Sequence, residues 1–456
     1  MTILLVNPPF CTPAGPSYAL SYLYSFLRHN SEREIKILDL NLVWHQKRFP
    51  QFYDYSKHFI HDFQHYDEQS HEFLRDSAQV YTQNHKLIRA GQDPELVEEM
   101  VNEILARGPT MVAFSVTYSS QAFYTLPLLV KLKEKGIPTI IGGGALTTHL
   151  KEAATLFLRN EIELLNFIEG REVEHETLKS AFPLDFTGFD LSGYFTPEPV
   201  FPLKTTVGCY YMQCTFCTHH QSKKYTEFSL EDIEATIVEN KMKYVFFIDE
   251  MIHRKRLLEL AAICRRHGVK WICQLRPMKD LDRDTLKMLY DGGLRIVVWG
   301  MESASQRILD LMKKGTNVSD ALGVIQDSHE VGICNGLYIM FGFPTETKEE
   351  FLQTVEFLKQ NTSCYDLILT SIFGLQNGAP AFSRPEEVGI TEIILQERTV
   401  LEPKVSYVTT SGLTQEEANH LRRAYKKSID GQNTLPKAMN FFREHMLVWV
   451  AERRKR

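Results

Sequence analysis

The chain has 456 residues and a formal net charge of -6, from 51 Lys and Arg against 57 Asp and Glu. A hydrophobic share of 43% with 24% charged residues excludes a disordered protein. The mild acidity gives no reason to expect a nucleic-acid partner, and the basic tail at 452–456 reads as a solvated terminus. No apolar stretch reaches the roughly 18 residues that cross a bilayer, and the start ILLV lacks a basic lead segment, so neither a membrane nor secretion is expected and the location is read as cytoplasmic.

In chain order, residues 3–7 read as a strand closed by Pro8 and Pro9, 17–29 as an amphipathic helix, and 34–41 (EIKILDLN) as a second strand. Residues 111–116 follow as a third strand, 126–135 as a helix, 138–141 as a fourth strand closed by Gly142, Gly143 and Gly144, and 162–168 as a fifth. This alternation makes 1–180 an α/β Rossmann-like domain with parallel strands and crossover helices. An insertion at 43–108 is polar, aromatic and helical, too long for a bare loop. In it His58, His61 and His65 share a helical face, with Asp62 and His71 near; a metal site is conceivable, but a packed or solvated face is preferred because no second ligand set is visible. Residues 181–200, with three prolines and no periodic run, read as a linker.

From 201 to 380 strands are expected at 202–207, 244–248, 270–275, 295–299, 336–341 and 367–373, with helices at 230–240, 255–267, 283–291, 319–330 and 348–360. Six βα units make a partial (βα)6 barrel of the TIM type, whose chemistry sits at the C-terminal ends of its strands. Residues 381–456 read as an irregular segment followed by helices at 415–428 and 435–452, a C-terminal helical cap.

Eight cysteines in a chain of this length are no disulfide framework. Cys11, Cys264, Cys273, Cys334 and Cys364 are scattered and read as small buried hydrophobes. Cys209, Cys214 and Cys217 cluster in TTVGCYYMQCTFC (205–217), just after the first barrel strand. Three thiolates in one loop suit a [4Fe-4S] cubane held through three irons, with the fourth iron open. The rival is structural zinc with His219 or His220 as fourth ligand, which leaves the cysteine five residues upstream unexplained.

On these residues the chain resembles the radical SAM superfamily over about 200–380. The resemblance implies that Cys209, Cys214 and Cys217 hold the cluster, whose open iron chelates S-adenosylmethionine (SAM) before electron transfer gives methionine and a 5′-deoxyadenosyl radical. It places Phe216 near the adenine, Asp249 and Glu250 (ending YVFFIDE) at the SAM amino group, and Gln274 and Arg276 at the next strand end, the Arg meeting the SAM carboxylate. A plainer reading of Asp249 and Glu250 is a cap for the following helix. Glu302 and Ser303 in WGMES resemble the family's ribose and carboxylate motif, and Gly342 and Pro344 in GLYIMFGFPTE its adenine motif. One departure is the spacing CxxxxCxxC, where the family has CxxxCxxC.

The segments ILLVNPPF, PSYALSYL, ILDLN and IIGGGA resemble the domain of B12-binding (cobalamin-dependent) radical SAM enzymes, which precedes the barrel in the same order. Pro8, Pro9, Ser115, Gly142, Gly143 and Gly144 would then face cobalamin, with no histidine ligand to cobalt because Asp-x-His-x-x-Gly is absent. The resemblance implies a cobalamin-dependent C-methyltransferase acting at an unactivated carbon. The alternative is a radical SAM enzyme catalysing a non-methylating rearrangement or cyclisation, with or without cobalamin, in natural-product or peptide maturation. A small-molecule or peptide substrate and an electron donor such as flavodoxin or ferredoxin go with either. A zinc-stabilised binding protein without catalysis is the reading from another class.

Overall fold

The computed structural model describes residues 1–174, 178–219 and 224–453. The chain divides into two compact units, one formed by Met1–Pro202, Glu231–Met242 and Arg398–Glu402, the other by Leu203–Leu230, Lys243–Glu397 and Pro403–Arg456.

In the first unit β1 (Thr2–Asn7), β2 (Glu34–Asp39), β3 (Met111–Ser115), β4 (Thr139–Gly142) and β5 (Leu156–Phe157) form one parallel sheet in the order β2-β1-β3-β4-β5. Ile3, Leu4, Leu5 and Val6 are all buried, the unbroken aliphatic run that a central strand covered on both faces requires. This strand order has its switch point between β1 and β3, where parallel α/β sheets open a crevice at their strand C-termini.

The fifth strand lies earlier than its expected place. Residues 162–168 belong to a helix, Glu161–Glu169, because Asn160 caps it by accepting from the Glu163 N–H and Gly170 at φ 68° ends it. Its buried Leu164, Leu165 and Ile168 are at helical spacing. A short apolar run fits either element, and the caps decide.

The insertion is helical, as expected: Leu40–Arg48, Pro50–His58, Tyr66–Arg89 and Val97–Leu105. Its aromatic side chains are structural, with Phe52 stacked on Phe73 at 4.4 Å between ring centroids and Trp44 fully buried. His58, His61, His65 and His71 are exposed, and His65 Nδ1 lies 2.6 Å from Asp62 Oδ1. Among the described residues no three metal-ligating side chains converge, here or elsewhere. Residues 181–200 are packed: Phe182, Phe186, Phe189, Tyr194 and Phe195 are buried, and the Leu184 and Phe186 N–H groups donate to Thr236 and Asn240.

Strand β6 (Val200–Leu203) leads the chain out of the first unit. Short β7 (Thr206–Val207) and β8 (Thr226–Glu227) pair antiparallel, and β9 (Tyr244–Phe247), β10 (Lys270–Leu275), β11 (Leu294–Glu302), β12 (Cys334–Phe341) and β13 (Leu367–Ile372) follow. The sheet order is β13-β12-β11-β10-β9-β6, and β9 to β13 run parallel. Each pair from β9 onward is separated in sequence by a helix, namely Arg254–Arg266, Arg283–Asp291, Val318–Val331 and Lys348–Gln360. A sheet wound in one direction gathers its functional loops at the strand C-termini.

Residues expected to be irregular form an antiparallel hairpin, β14 (Ile390–Gln396) with β15 (Lys404–Thr409). The helix Arg443–Arg453 packs against β9, β10 and β11, with the Arg443 guanidinium 5.8 Å from the Phe246 ring and 5.5 Å from Tyr338. Among the described residues no helix is long and apolar enough to cross a membrane.

Candidate metal centre and cofactor cavity

The loop after β7 holds Cys209, Cys214 and Cys217, all free and half-buried. They line a cavity of about 300 Å³ at the C-terminal ends of β9, β10 and β11. Burial pushes the Cys214 thiol up to about 11 and raises that of Cys217, so metal uptake has to displace their protons. Among the described residues no three ligands converge as a single ion requires, and a cubane does not need them to, because each thiolate takes its own iron. His219 lies in the same loop, its N–H 3.4 Å from Cys217 Sγ and its ring 3.8 Å from Glu250. His220 lies outside the described residues.

Three buried polar atoms on cavity-lining side chains have no hydrogen-bond partner among the described residues: Asp249 Oδ2, Glu250 Oε2 and Arg276 Nε. Such orphans are costly, and they mark a place where a ligand would complete the set. Two carboxylate oxygens and a guanidinium beside three thiols match a cluster with a zwitterionic ligand, so the residues present fit a [4Fe-4S] cluster and SAM.

Asp249 is only 1% exposed, and its Oδ1 accepts from Thr205 N, Thr205 Oγ1, Thr206 N and Thr206 Oγ1 at 2.7–3.1 Å. Burial raises its pKa against these bonds. Glu250 Oε1 pairs with Lys204 at 2.5 Å, and Gln274 accepts from the Tyr338 hydroxyl at 2.8 Å. The helix-capping alternative does not hold for either acid, since the helix Arg254–Arg266 is capped by His253.

Glu302 sits at φ 63° after a register shift in β11, a bulge that re-aims its side chain. Its Oε1 lies 2.8 Å from Lys314 Nζ. Burial pulls the Lys314 pKa down, but the Glu302 and Cys214 charges outweigh this and the net shift is upward. Gly300 leaves room for the pair, because a Cβ there would stand 2.9 Å from Lys314 Nζ. Phe216 lies 5.5 Å from the same ammonium and packs against the buried cluster that includes Ile308, Leu309 and Met312.

Thus Phe216, Asp249, Glu250, Gln274, Arg276 and Glu302 join the three cysteines at one cavity. Ser303, Gly342 and Pro344 do not line it. Ser303 Oγ accepts from Ser305 N and lies 3.3 Å from Thr354 Oγ1. Gly342, at φ 71°, donates its N–H to Glu346, and a Cβ on it would come 2.7 Å from Ala418 Cβ, so it serves packing. Lys314, Tyr211 and Tyr338 line the cavity unforeseen. Of these Lys314 carried a signal, a lysine before a glycine just beyond the β11 motif.

In the first unit Pro8, Pro9, Ser115, Gly142, Gly143 and Gly144 lie at the C-terminal ends of β1, β3 and β4. Behind them runs a polar lattice: Asn7 donates to Asp39 at 3.0 Å, Tyr194 to the other Asp39 oxygen at 2.6 Å, and Gln121 to Asn7 at 3.0 Å and to Pro8 O at 2.8 Å. Gly143 and Gly144 are exposed, and a Cβ on Gly143 would stand 2.2 Å from Val116 O.

Parallel strands wound in sequence order, with three thiols at a strand-end cavity, are the arrangement of a radical SAM domain. Residues 203–358 match the family model described as Radical SAM superfamily, so the chain carries a radical SAM domain, and that family implies a [4Fe-4S] cluster and SAM. Among curated relatives, the uncharacterized methyltransferase PH0819 of Pyrococcus horikoshii is 27% identical over 166 residues, 34% of this chain and 36% of that protein. The matched stretch thus spans about a third of that relative. Among solved structures, the radical S-adenosylmethionine methyltransferase TsrM from Kitasatospora setae, with cobalamin and a [4Fe-4S] cluster bound, superposes with a TM-score of 0.58 at 15% identity, over 93% of this chain and 88% of that one. The cobalamin-dependent S-adenosylmethionine radical enzyme OxsB gives 0.61 at 16%, over 94% and 66%. At such identities the likeness is one of fold.

Proposed function

We propose that this chain is a cobalamin-dependent radical SAM enzyme, most specifically a methyltransferase acting at an unactivated carbon of a small-molecule or peptide substrate. The observation that carries the radical SAM part is the cavity where three thiols meet three unpartnered buried polar atoms. The cobalamin part is supported by a fold shared over more than nine-tenths of the chain with two proteins that bind cobalamin, and by a first sheet with a switch point. In this reading 1–180 is the cobalamin-binding-type domain, 201–380 the radical SAM barrel and 381–456 a cap.

When bound, the cluster with SAM supplies one-electron cleavage chemistry and cobalamin supplies methyl carriage. The chain's residues bind and orient. The three cysteines hold iron, Glu250 receives the SAM ammonium, Lys314 sets a positive charge beside Glu302, and Phe216 gives the adenine an apolar wall. Pro8, Pro9, Ser115 and Gly142 to Gly144 form the surface offered to cobalamin, using backbone and shape. An external one-electron donor such as flavodoxin or ferredoxin reduces the centre.

The test is the metal content of anaerobically purified protein from cells supplied with cobalamin. The expected result is about one cobalt and about four irons per chain. Iron without cobalt would remove the methyltransferase reading, and zinc in place of iron would remove both parts.

A further inference from the structure

We infer that Tyr211, Arg276 and Gly315 form a clamp that fixes the widened loop between Cys209 and Cys214, so that Tyr211 and Arg276 are positioning residues for the cluster. The inference rests on the radical SAM reading of that loop.

Four residues separate Cys209 from Cys214, and the apex of the loop has little to hold it. Met212 and Gln213 are exposed, and Met212 takes φ 48°, a left-handed conformation uncommon outside glycine. The two flanks are fixed by other means. Upstream, Asp249 accepts four hydrogen bonds from Thr205 and Thr206. Downstream, the Thr215 N–H donates to Met312 O at 2.9 Å and Thr215 O accepts from Ala381 N at 2.8 Å.

Between these flanks the Tyr211 ring lies under the Arg276 guanidinium, 3.7 Å from its Cζ, and the Tyr211 hydroxyl donates to Lys313 O at 2.8 Å. Arg276 Nη1 donates to Lys314 O at 2.6 Å, and Nη2 lies 3.2 Å from Met278 Sδ. Gly315, at φ 64°, permits the fit, since a Cβ there would stand 2.2 Å from the Tyr211 hydroxyl oxygen and 3.2 Å from Arg276 Nη1. Both terminal nitrogens and one face of the guanidinium are therefore engaged with protein, and only Nε is left without a partner. A fork on the SAM carboxylate through both terminal nitrogens, one form of the grip that the family resemblance implied for Arg276, would have to break this clamp, whereas the Nε edge stays open. The same turn sets Lys314 Nζ at the cavity, so the clamp ties the cysteine loop to that cation.

The test compares Tyr211→Ala, Tyr211→Phe, Gly315→Ala and the Tyr211→Ala/Gly315→Ala pair with wild type after anaerobic reconstitution. Readouts are iron and sulfide per chain, the electron paramagnetic resonance of the reduced cluster with and without SAM, and thermal unfolding. Supporting residues of this kind change metal affinity by roughly ten- to hundred-fold. Tyr211→Ala and Gly315→Ala are expected to lose iron about tenfold more readily on chelator challenge and to shift the resonance, with unfolding little changed in Tyr211→Ala and lowered in Gly315→Ala by the left-handed backbone at that position. Tyr211→Phe keeps the stacked ring and is expected to retain the wild-type signal. The double variant is expected to lose iron no faster than Tyr211→Ala, because the clash with the Tyr211 hydroxyl is gone, while the left-handed backbone at position 315 still lowers its unfolding temperature. Wild-type iron retention and spectra in both Tyr211→Ala and Gly315→Ala overturn the clamp. A wild-type protein that takes up no iron overturns the radical SAM reading first and the clamp with it.

Discussion

The two strand ends that the chain offers for chemistry treat their buried polar groups in opposite ways. At the end of the first sheet Asn7, Asp39, Gln121 and Tyr194 satisfy one another. Around the barrel cavity Asp249, Glu250 and Arg276 each leave one buried atom without a partner. Closed polar lattices fix shape, whereas an open set is tolerated where something else completes it. In the proposed function the first edge is accordingly a scaffold that presents glycines and prolines, and the second a receptor for charged groups.

This contrast can be broken in several ways. The largest effect belongs to the thiols: Cys214→Ala is expected to abolish stable cluster loading, with iron per chain near zero by colorimetric assay. Next comes the lattice. Asp39→Ala leaves the buried Tyr194 hydroxyl and Asn7 amide unpaired and is expected to cost about 3 kcal/mol by urea unfolding, while SAM binding in the barrel is unchanged. If Asp39→Ala were neutral to stability, the scaffold half of the contrast would fall.

A third prediction uses Glu346, buried away from the cavity with Oε1 unpartnered. Burial pushes its pKa up to about 8, above the ordinary 4.5, against the hydrogen bond from the Gly342 N–H. Between those values the folded chain holds a proton that the unfolded chain releases, so stability falls as pH rises from 4.5 to 8, by at most about 1.4 kcal/mol per pH unit. Glu346→Gln is expected to flatten that slope, measured as unfolding free energy at pH 5.5 and 7.5. An orphan that does not line the cavity is thus answered by protonation.

Glu250→Gln, at the cavity, is expected to weaken SAM binding by roughly tenfold in equilibrium dialysis, about 1.4 kcal/mol, with little change in unfolding. A large loss of stability instead would make Glu250 a lattice residue like Asp39. The smallest effect is at the loop apex: Met212→Gly is expected to stabilise the protein by about 1 kcal/mol in thermal unfolding by relieving the left-handed backbone.

Much of this arrangement was legible in the sequence. Repeating strand and helix periods located all the β9–β13 strands, and the spacing of Cys209, Cys214 and Cys217 after a strand pointed to three thiols that line one cavity. What escaped had physical reasons. Residues 162–168 carry an apolar run that suits a strand or a helix equally, and only Asn160 and Gly170 tell them apart. The β14–β15 hairpin has exposed Ile394, Leu395 and Val408, so its apolar alternation did not stand out as a half-buried strand. Gln121 and Tyr194 earn their place through partners more than a hundred residues away, which local spacing cannot reveal. Arg276 was visible as a strand-end cation, but its engagement by Tyr211 depends on a turn 39 positions on, at Gly315.

The helix Arg443–Arg453 has a consequence for the order of assembly. It packs on β9, β10 and β11, and Tyr244 pairs with Glu452 across 208 positions of sequence. Neighbouring βα units close short loops and can form early, while this docking must wait for a long loop to close. The floor behind Tyr338 is therefore the late step of the barrel's folding. In the proposed function, iron delivered before it would meet thiols beside strands β9 to β11 that still lack their covering helix, so loading is best timed after the chain has folded through residue 453.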